Sequence, residues 1–230
     1  MLRALAAGRP FAGRVLNAGC GEGSYCPLLE SLPGVTRIEN IDVSVSPAFL
    51  SWHTDRRHRV ALGSLTSLPY ADASFDAVLC TEVIEHIPDH AVAVAELARV
   101  LKPGGVLIAS VPQTPAPFDP NHARQGYSLD EFRTLLGGAG FVVEDHRSCC
   151  QALLRLVMRY WRAPLVRFGA NHTPYIPSIV MTLLARLDRV LRIGKPWDLV
   201  VRATLGQRAK GRGEVKGVRS KEEKGYRSVW

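Results

Sequence analysis

Three glycines alternate with other residues in the sequence VLNAGCGEGSY, which covers residues 15–25. The apolar segment Arg14–Asn17 before them is expected to form a buried strand, and a helix over Tyr25–Leu32 is expected after them. Glycine allows positive φ and lets a ligand approach the backbone closely, while a helix start presents free N–H groups. Such a turn can hold a nucleotide-like ligand, although a tight strand-to-helix turn without a ligand has the same pattern.

An acidic residue ends the second predicted strand, Arg37–Val43. Asp42 lies 19 residues after Gly23, and an acid at this strand tip can accept hydrogen bonds from ribose hydroxyls. The alternative is a carboxylate that only caps the loop at Ser44. The dinucleotide fingerprint G-x-G-x-x-G requires a glycine at position 24, where this chain has Ser24. The glycine spacing therefore disfavours a nicotinamide dinucleotide.

Two acids and a histidine follow the predicted strand Phe75–Cys80 in the pattern E-x-x-E-H. If this segment is helical, Glu82, Glu85 and His86 lie within one turn and face one side. A histidine titrates near neutral pH, so His86, or His122 in a later loop, can act as general base for an acidic hydroxyl. A histidine that only orients its loop is the alternative.

Strands and helices alternate through residue 148, which predicts an α/β protein with a parallel sheet covered on both faces. Ser128 and Glu131 form a capping-box pattern at a helix start. The remaining predicted elements are a weak strand at Val60–Gly63, a helix over Asp89–Leu101, strands at Val106–Val111 and Phe141–Ser148, and a helix from Ser128 to Gly137-Gly138.

Net charge is +8 over 230 residues, but residues 206–230 hold eight Lys/Arg and three Glu, so this tail supplies +5 of it. The body is nearly balanced, and no specific nucleic-acid partner is indicated. The tail is expected to be disordered. Five cysteines without a C-x-x-C pair favour a reducing compartment, hence a cytoplasmic location, and no signal peptide or membrane-spanning run is expected.

Five stretches in order resemble the class I S-adenosylmethionine-dependent methyltransferases, in the broad group that includes the ubiquinone-biosynthesis O-methyltransferases. They are VLNAGCGEGSY, ENIDVS, LPYADASFDAVLCTEVIEHIPD, ELARVLKPGGVLIASVP and YSLDEFRTLLGGAGFVVE, within Arg14–Glu144. The resemblance implies a Rossmann-like seven-stranded sheet, mostly parallel with an antiparallel last strand, and S-adenosylmethionine as cofactor. Trp197–Thr204 would be that last strand.

The resemblance also assigns roles to residues. The cofactor-binding positions it implies are Asn17, Gly19, Cys20, Gly21, Gly23, Asp42, Ser64, Leu65, Cys80 and Thr81. Asn17 stands where the family usually has an acid that touches the cofactor's amino end, and Ser64 where an aspartate commonly bonds the adenine amine. Both side chains can hydrogen-bond, but without charge.

Similarity to the ubiquinone and small-RNA 2′-O-methyltransferases implies a possible divalent-cation site. Its ligands would be Glu82, Glu85, His86 and His122. Two carboxylates and two imidazoles do not fix which metal binds. Without a metal, Glu82 and His86 remain the candidate catalytic residues.

Residues 149–195 are apolar and basic and are expected to form a helical insertion before the last strand of a domain covering residues 1–205. A lid over the active site is one interpretation. Peripheral contact with a membrane or a lipid-linked substrate is the other, because Arg, Trp and Tyr alternate with Leu and Val there.

The sequence therefore favours a methyltransferase that acts on an oxygen of a small or lipid-linked acceptor. Two alternatives stay open: a binding protein that keeps the fold without turnover and, less favoured, a nicotinamide-dependent oxidoreductase.

Overall fold

The computed structural model describes residues 11–45, 49, 55–116, 118–149 and 194–206, and six positions between 183 and 191. The strands in these residues are β1 (Gly13–Ala18), β2 (Val35–Asp42), β3 (His58–Leu62), β4 (Phe75–Thr81), β5 (Leu101–Pro112), β6 (Phe141–Cys149) and β7 (Asp198–Leu205). They form one seven-stranded sheet in the order β3-β2-β1-β4-β5-β7-β6.

The pairing of the strands confirms the predicted fold class. β1, β2, β3, β4 and β5 pair in parallel, whereas β7 lies antiparallel between β5 and β6. The central strands are apolar on both sides, as a sheet covered on two faces requires. Parallel strands end on the same side of a sheet, so the carboxyl ends of β1, β2 and β4 lie close together. The strand order of the sheet reverses at this place, and α/β sheets bind ligands at such a reversal.

Helices pack on this sheet at α1 (Cys26–Glu30), α2 (His90–Val100) and α3 (Leu129–Gly138), and a short 3₁₀ helix covers Ile84–His86. The capping box at Ser128 and Glu131 is present, so that helix start was predicted correctly. α1 is shorter than the predicted Tyr25–Leu32; at its C-cap the Ser31 hydroxyl donates to the Leu28 carbonyl at 2.7 Å.

The E-x-x-E-H segment is not the helical turn that its spacing suggested. Glu82 has φ of 54°, and only Ile84–His86 is helical. The condition under which Glu82 would share one helix face with Glu85 and His86 is therefore not met. A non-glycine residue with positive φ is strained, and such strain is concentrated at functional sites.

Much of the predicted insertion, and the tail from residue 207, lie outside the described residues. The described positions from 183 to 191 are helical, consistent with the helical periodicity of that stretch. No helix among the described residues is long and apolar enough to cross a membrane.

Candidate functional site

The glycine turn between β1 and α1 has the conformation that its sequence requires. Gly19, Gly21 and Gly23 have φ of 72°, 50° and 80°. A β-carbon on Gly19 would lie 2.2 Å from Val83 Cγ2, so any side chain there would collide with the segment after β4. A β-carbon on Gly21 would meet nothing within 4 Å, so this glycine faces open space. The turn thus leaves room for a ligand directly against its backbone.

Asp42 at the end of β2 meets this turn. Its Oδ2 accepts the Gly21 backbone N–H at 2.8 Å, and its Oδ1 accepts the Ser44 N–H at 3.1 Å. A carboxylate has about four acceptor positions, so two remain for hydroxyl donors of a ligand. The two motifs that the sequence placed 19 residues apart therefore form one structural unit.

A cavity of about 600 Å³ opens beside this unit. Its lining includes five of the positions implied for the cofactor: Gly19, Gly21, Asp42, Ser64 and Leu65. The candidate catalytic residues Glu82 and His86 line it too, together with Val43, Thr66, Val83, Ile87, Pro88 and Asp89, which the sequence did not single out. A site with a polar end at the turn and apolar walls suits a nucleoside.

The other implied cofactor positions do not line the cavity. Asn17, Cys20 and Cys80 are buried in the protein, and Gly23 and Thr81 are also buried. Burial raises the pKa of the Cys20 thiol to about 12, so this group stays protonated at neutral pH. Asn17 lies in β1, Cys20 and Gly23 lie in the turn, and Cys80 and Thr81 end β4, but the sequence could not show which way these side chains point.

Glu82 projects into the cavity from its strained position after β4. Its Oε1 accepts the Ser110 hydroxyl at 2.6 Å. Part of its surface is open to the cavity, yet desolvation and the nearby Asp198 and Glu85 carboxylates raise its pKa to about 8. A carboxyl with this pKa is mostly protonated at pH 7, and only its ionised fraction can accept a proton. Asp198 and Ser110 were not predicted; they reach this site because β5 and β7 are neighbours.

Glu85, His86 and His122 form a second cluster, of which His86 lines the cavity. Ligand atoms of these three residues lie within 4.8 Å of one another, and the two imidazole rings are 4.6 Å apart. Both Glu85 carboxylate oxygens are buried and lack a hydrogen-bond partner, and burial raises the pKa of Glu85 to about 7. Glu82 is not part of this group, so three of the four residues implied as metal ligands are brought together.

Comparison with known proteins agrees with the geometry. Residues 16–109 match the family described as "Methyltransferase domain". A Mycolicibacterium smegmatis protein named "Probable S-adenosylmethionine-dependent methyltransferase" is 39% identical over 144 residues, 58% of this chain and 54% of that protein. The ubiquinone biosynthesis O-methyltransferase of Maricaulis maris is 34% identical over 111 residues, 44% of this chain and 42% of that enzyme. The chain thus spans about half the length of these curated relatives.

Among solved structures, the [4+2]-cyclase SpnF has the same fold, with a TM-score of 0.63, 21% identity and coverage of 89% of this chain and 80% of SpnF. The sheet order and the turn facing Asp42 define a class I methyltransferase fold. Together with the match of residues 16–109, they make the chain similar in fold and in sequence to the class I S-adenosylmethionine-dependent methyltransferases.

Proposed function

We propose that this chain binds S-adenosylmethionine in the cavity and transfers its methyl group to an oxygen of a small or lipid-linked acceptor. The observation that carries the proposal is the 2.8 Å bond between the Gly21 N–H and Asp42 Oδ2 at the wall of a cavity of about 600 Å³. In this arrangement Asp42 binds the ribose, Leu65 contacts the adenine and the glycine turn supports the methionine part.

Methyl transfer requires little from the protein beyond alignment of the acceptor oxygen with the methyl carbon. The acceptor oxygen attacks the methyl carbon, the sulfur–methyl bond breaks with its electrons going to sulfur, and the hydroxyl proton leaves. Glu82 and His86 line the cavity and are the bases proposed for that proton. Oxygen as the acceptor atom is supported by the name of the Maricaulis maris relative.

Titration calorimetry with S-adenosylmethionine, S-adenosylhomocysteine and NAD tests the proposal and both alternatives. Binding of the two adenosyl-sulfur compounds, but not of NAD, is the expected result. Binding of NAD alone would favour an oxidoreductase. Adenosyl binding without methyl transfer to any phenol, catechol or lipid-extract acceptor would favour a binding protein.

The catalytic roles have a separate test. Glu82→Ala and His86→Ala are each expected to reduce methyl transfer from labelled S-adenosylmethionine about a hundredfold, with S-adenosylhomocysteine affinity unchanged. Full turnover in both variants would exclude these residues as bases.

A divalent cation is a second candidate, favoured by one observation: the buried Glu85 carboxylate has no hydrogen-bond partner, and its Oε1 lies 3.9 Å from His86 Nε2 in a cluster that also holds His122. These donors fit a cation loosely, since Glu82 stands apart from them. A bound cation would polarise an acceptor oxygen. Calorimetry with Mn²⁺ on the wild type and His122→Ala tests this directly, and equal weak binding by both would contradict it.

Contact with a membrane or lipid-linked acceptor is proposed for the stretch 149–195. Its support is an exposed apolar row on the helical positions of this stretch: Leu183, Leu187, Val190 and Leu191. The spacing i, i+4, i+7, i+8 puts these side chains on one helix face. Arg186, Arg189 and Arg192 alternate with them in sequence, which suits an anionic surface.

A further inference from the structure

Two asparagines are joined beside the glycine turn. Asn17 and Asn40 are register partners in β1 and β2, and both are buried. The Asn17 amide nitrogen donates to Asn40 Oδ1 at 2.9 Å. The Cys26 thiol, at the start of α1, lies 3.5 Å from the same oxygen. Asn40 therefore connects the strand before the turn with the helix after it.

The amide nitrogen of Asn40 is engaged on the other side, at β3. It donates to the Arg59 carbonyl at 3.0 Å and lies 3.1 Å from His58 Nδ1. A carbonyl can only accept, so Arg59 determines which end of the Asn40 amide faces β3. If the amide turned over, its oxygen would face the Arg59 oxygen. The Asn40 oxygen is consequently fixed toward Asn17.

We propose that Asn40 is a positioning residue for the donor site, and that it holds the Asn17 side chain inside the protein. The amino-acid end of the donor is then held by the backbone of the glycine turn and not by the side chain at position 17. This inference rests on the proposed function, because it requires the donor to lie over the turn. Its direct support is that Asn17 is absent from the cavity lining and donates to Asn40.

The Asn17→Asp variant distinguishes this arrangement from a direct contact. If residue 17 touched the positive amino group of the donor, a carboxylate there would strengthen binding. If Asn40 holds residue 17, the carboxylate has no hydrogen to offer, and two acceptor oxygens face each other in a buried site. The turn is then displaced and donor binding weakens. The two arrangements therefore predict changes of opposite sign.

Calorimetry should compare S-adenosylhomocysteine with 5′-methylthioadenosine, which lacks the amino-acid part. We expect Asn17→Asp to weaken S-adenosylhomocysteine binding about tenfold. The affinity for 5′-methylthioadenosine should stay within about threefold, because the adenosine part lies at Asp42 and Leu65. Tighter binding of S-adenosylhomocysteine, or equal loss for both ligands, would overturn the inference. A wild type that binds neither ligand would instead refute the proposed function.

Asn40→Ala gives an independent test without a buried charge, in case Asn17→Asp does not fold. Asn40 does not line the cavity, so a direct contact by residue 17 predicts little change. We expect the same selective loss of S-adenosylhomocysteine affinity, and wild-type affinity would overturn the inference. Leu136→Ala is the control: it removes buried core volume in α3, at the other end of the sheet, and should lower stability without changing the ratio of the two affinities.

Discussion

Asp42 combines two tasks in one side chain, since it orders the glycine turn and faces the cavity. Its oxygens accept from Gly21 and Ser44 and keep acceptor positions for a ribose. In Asp42→Asn an amide NH₂ replaces one oxygen and faces a backbone N–H, so one bond and the charge are lost. We expect S-adenosylhomocysteine and 5′-methylthioadenosine to bind about 10- to 100-fold more weakly, measured by calorimetry.

Glu22→Gln is the matched control for that variant, because it removes a carboxylate from an exposed position in the same turn. Its affinities should equal those of the wild type. If Asp42→Asn bound both ligands normally, Asp42 would be only a loop-capping residue.

For individual residues, the sequence predicted the backbone conformation of the site better than the directions of its side chains. Glycine spacing and the strand-tip acid follow from local rules, so the turn at Gly21 and the position of Asp42 at the end of β2 could be predicted. The direction of Asn17 depends on Asn40, 23 positions away, and the separation of Glu82 from Glu85 depends on a positive φ that residue type does not predict. Such features arise from strand register and tertiary contacts.

Hydrogen bonds connect α2 to the loop that follows the cavity-lining residues Ser64–Thr66. Arg99, near its end, donates to the Leu68 and Tyr70 carbonyls at 3.0 and 2.8 Å. Glu96 accepts from Arg99 Nε at 2.6 Å and from the Leu68 N–H at 2.8 Å. The side-chain bond from Arg99 is the main reason that the pKa of Glu96 lies below its ordinary value of 4.5.

The lowered pKa of Glu96 determines whether its contribution to the free energy of unfolding rises or falls with pH. The charged form of Glu96 is favoured in the folded state, so its stabilisation is present above pH 4.5 and is lost as pH falls through the lowered pKa. We expect Glu96→Gln to lower the free energy of unfolding at pH 7 by about 1 kcal/mol. The difference from the wild type should shrink in urea titrations as the pH approaches 3.

Asp89→Asn is the control at the N-cap of the same helix, since Asp89 is exposed and its side chain makes no capping bond. A difference between Glu96→Gln and the wild type that stayed constant with pH would show that the charge of Glu96 is not involved.

Element boundaries were predictable where a local signal marks them. Ser128 and Glu131 marked α3, and its cap is as expected. β5 begins at Leu101 and not at the predicted Val106, because Leu101 pairs with Phe75 of β4 ahead of the pair Ala77–Val106. The four residues between, Lys102-Pro103-Gly104-Gly105, have no register partners in β4, so their loop composition matches an irregularity inside the strand. The early pair at Leu101 depends on a neighbouring strand, and single-sequence patterns do not contain that information.

For the whole molecule, net charge and one exposed apolar row are the two features that support the proposed contact with an anionic membrane. The net charge is +8, and Leu183, Leu187, Val190 and Leu191 are exposed. Charge alone would give weak, salt-sensitive attraction. Burial of one leucine side chain adds about 1.5–3 kcal/mol, a factor of about ten or more in affinity.

Leu187→Glu therefore separates the contribution of apolar burial from that of the basic residues, because it leaves every basic residue in place. In sedimentation with vesicles of phosphatidylglycerol and phosphatidylcholine, we expect the wild type to associate and Leu187→Glu to associate about tenfold more weakly. Val142→Glu makes the same change at an exposed apolar position on β6 and should behave as the wild type. Equal association of both variants would assign binding to charge alone, and no association of the wild type would leave the apolar row without a membrane role. Only specific loss in Leu187→Glu connects the helical stretch before β7 to a lipid surface.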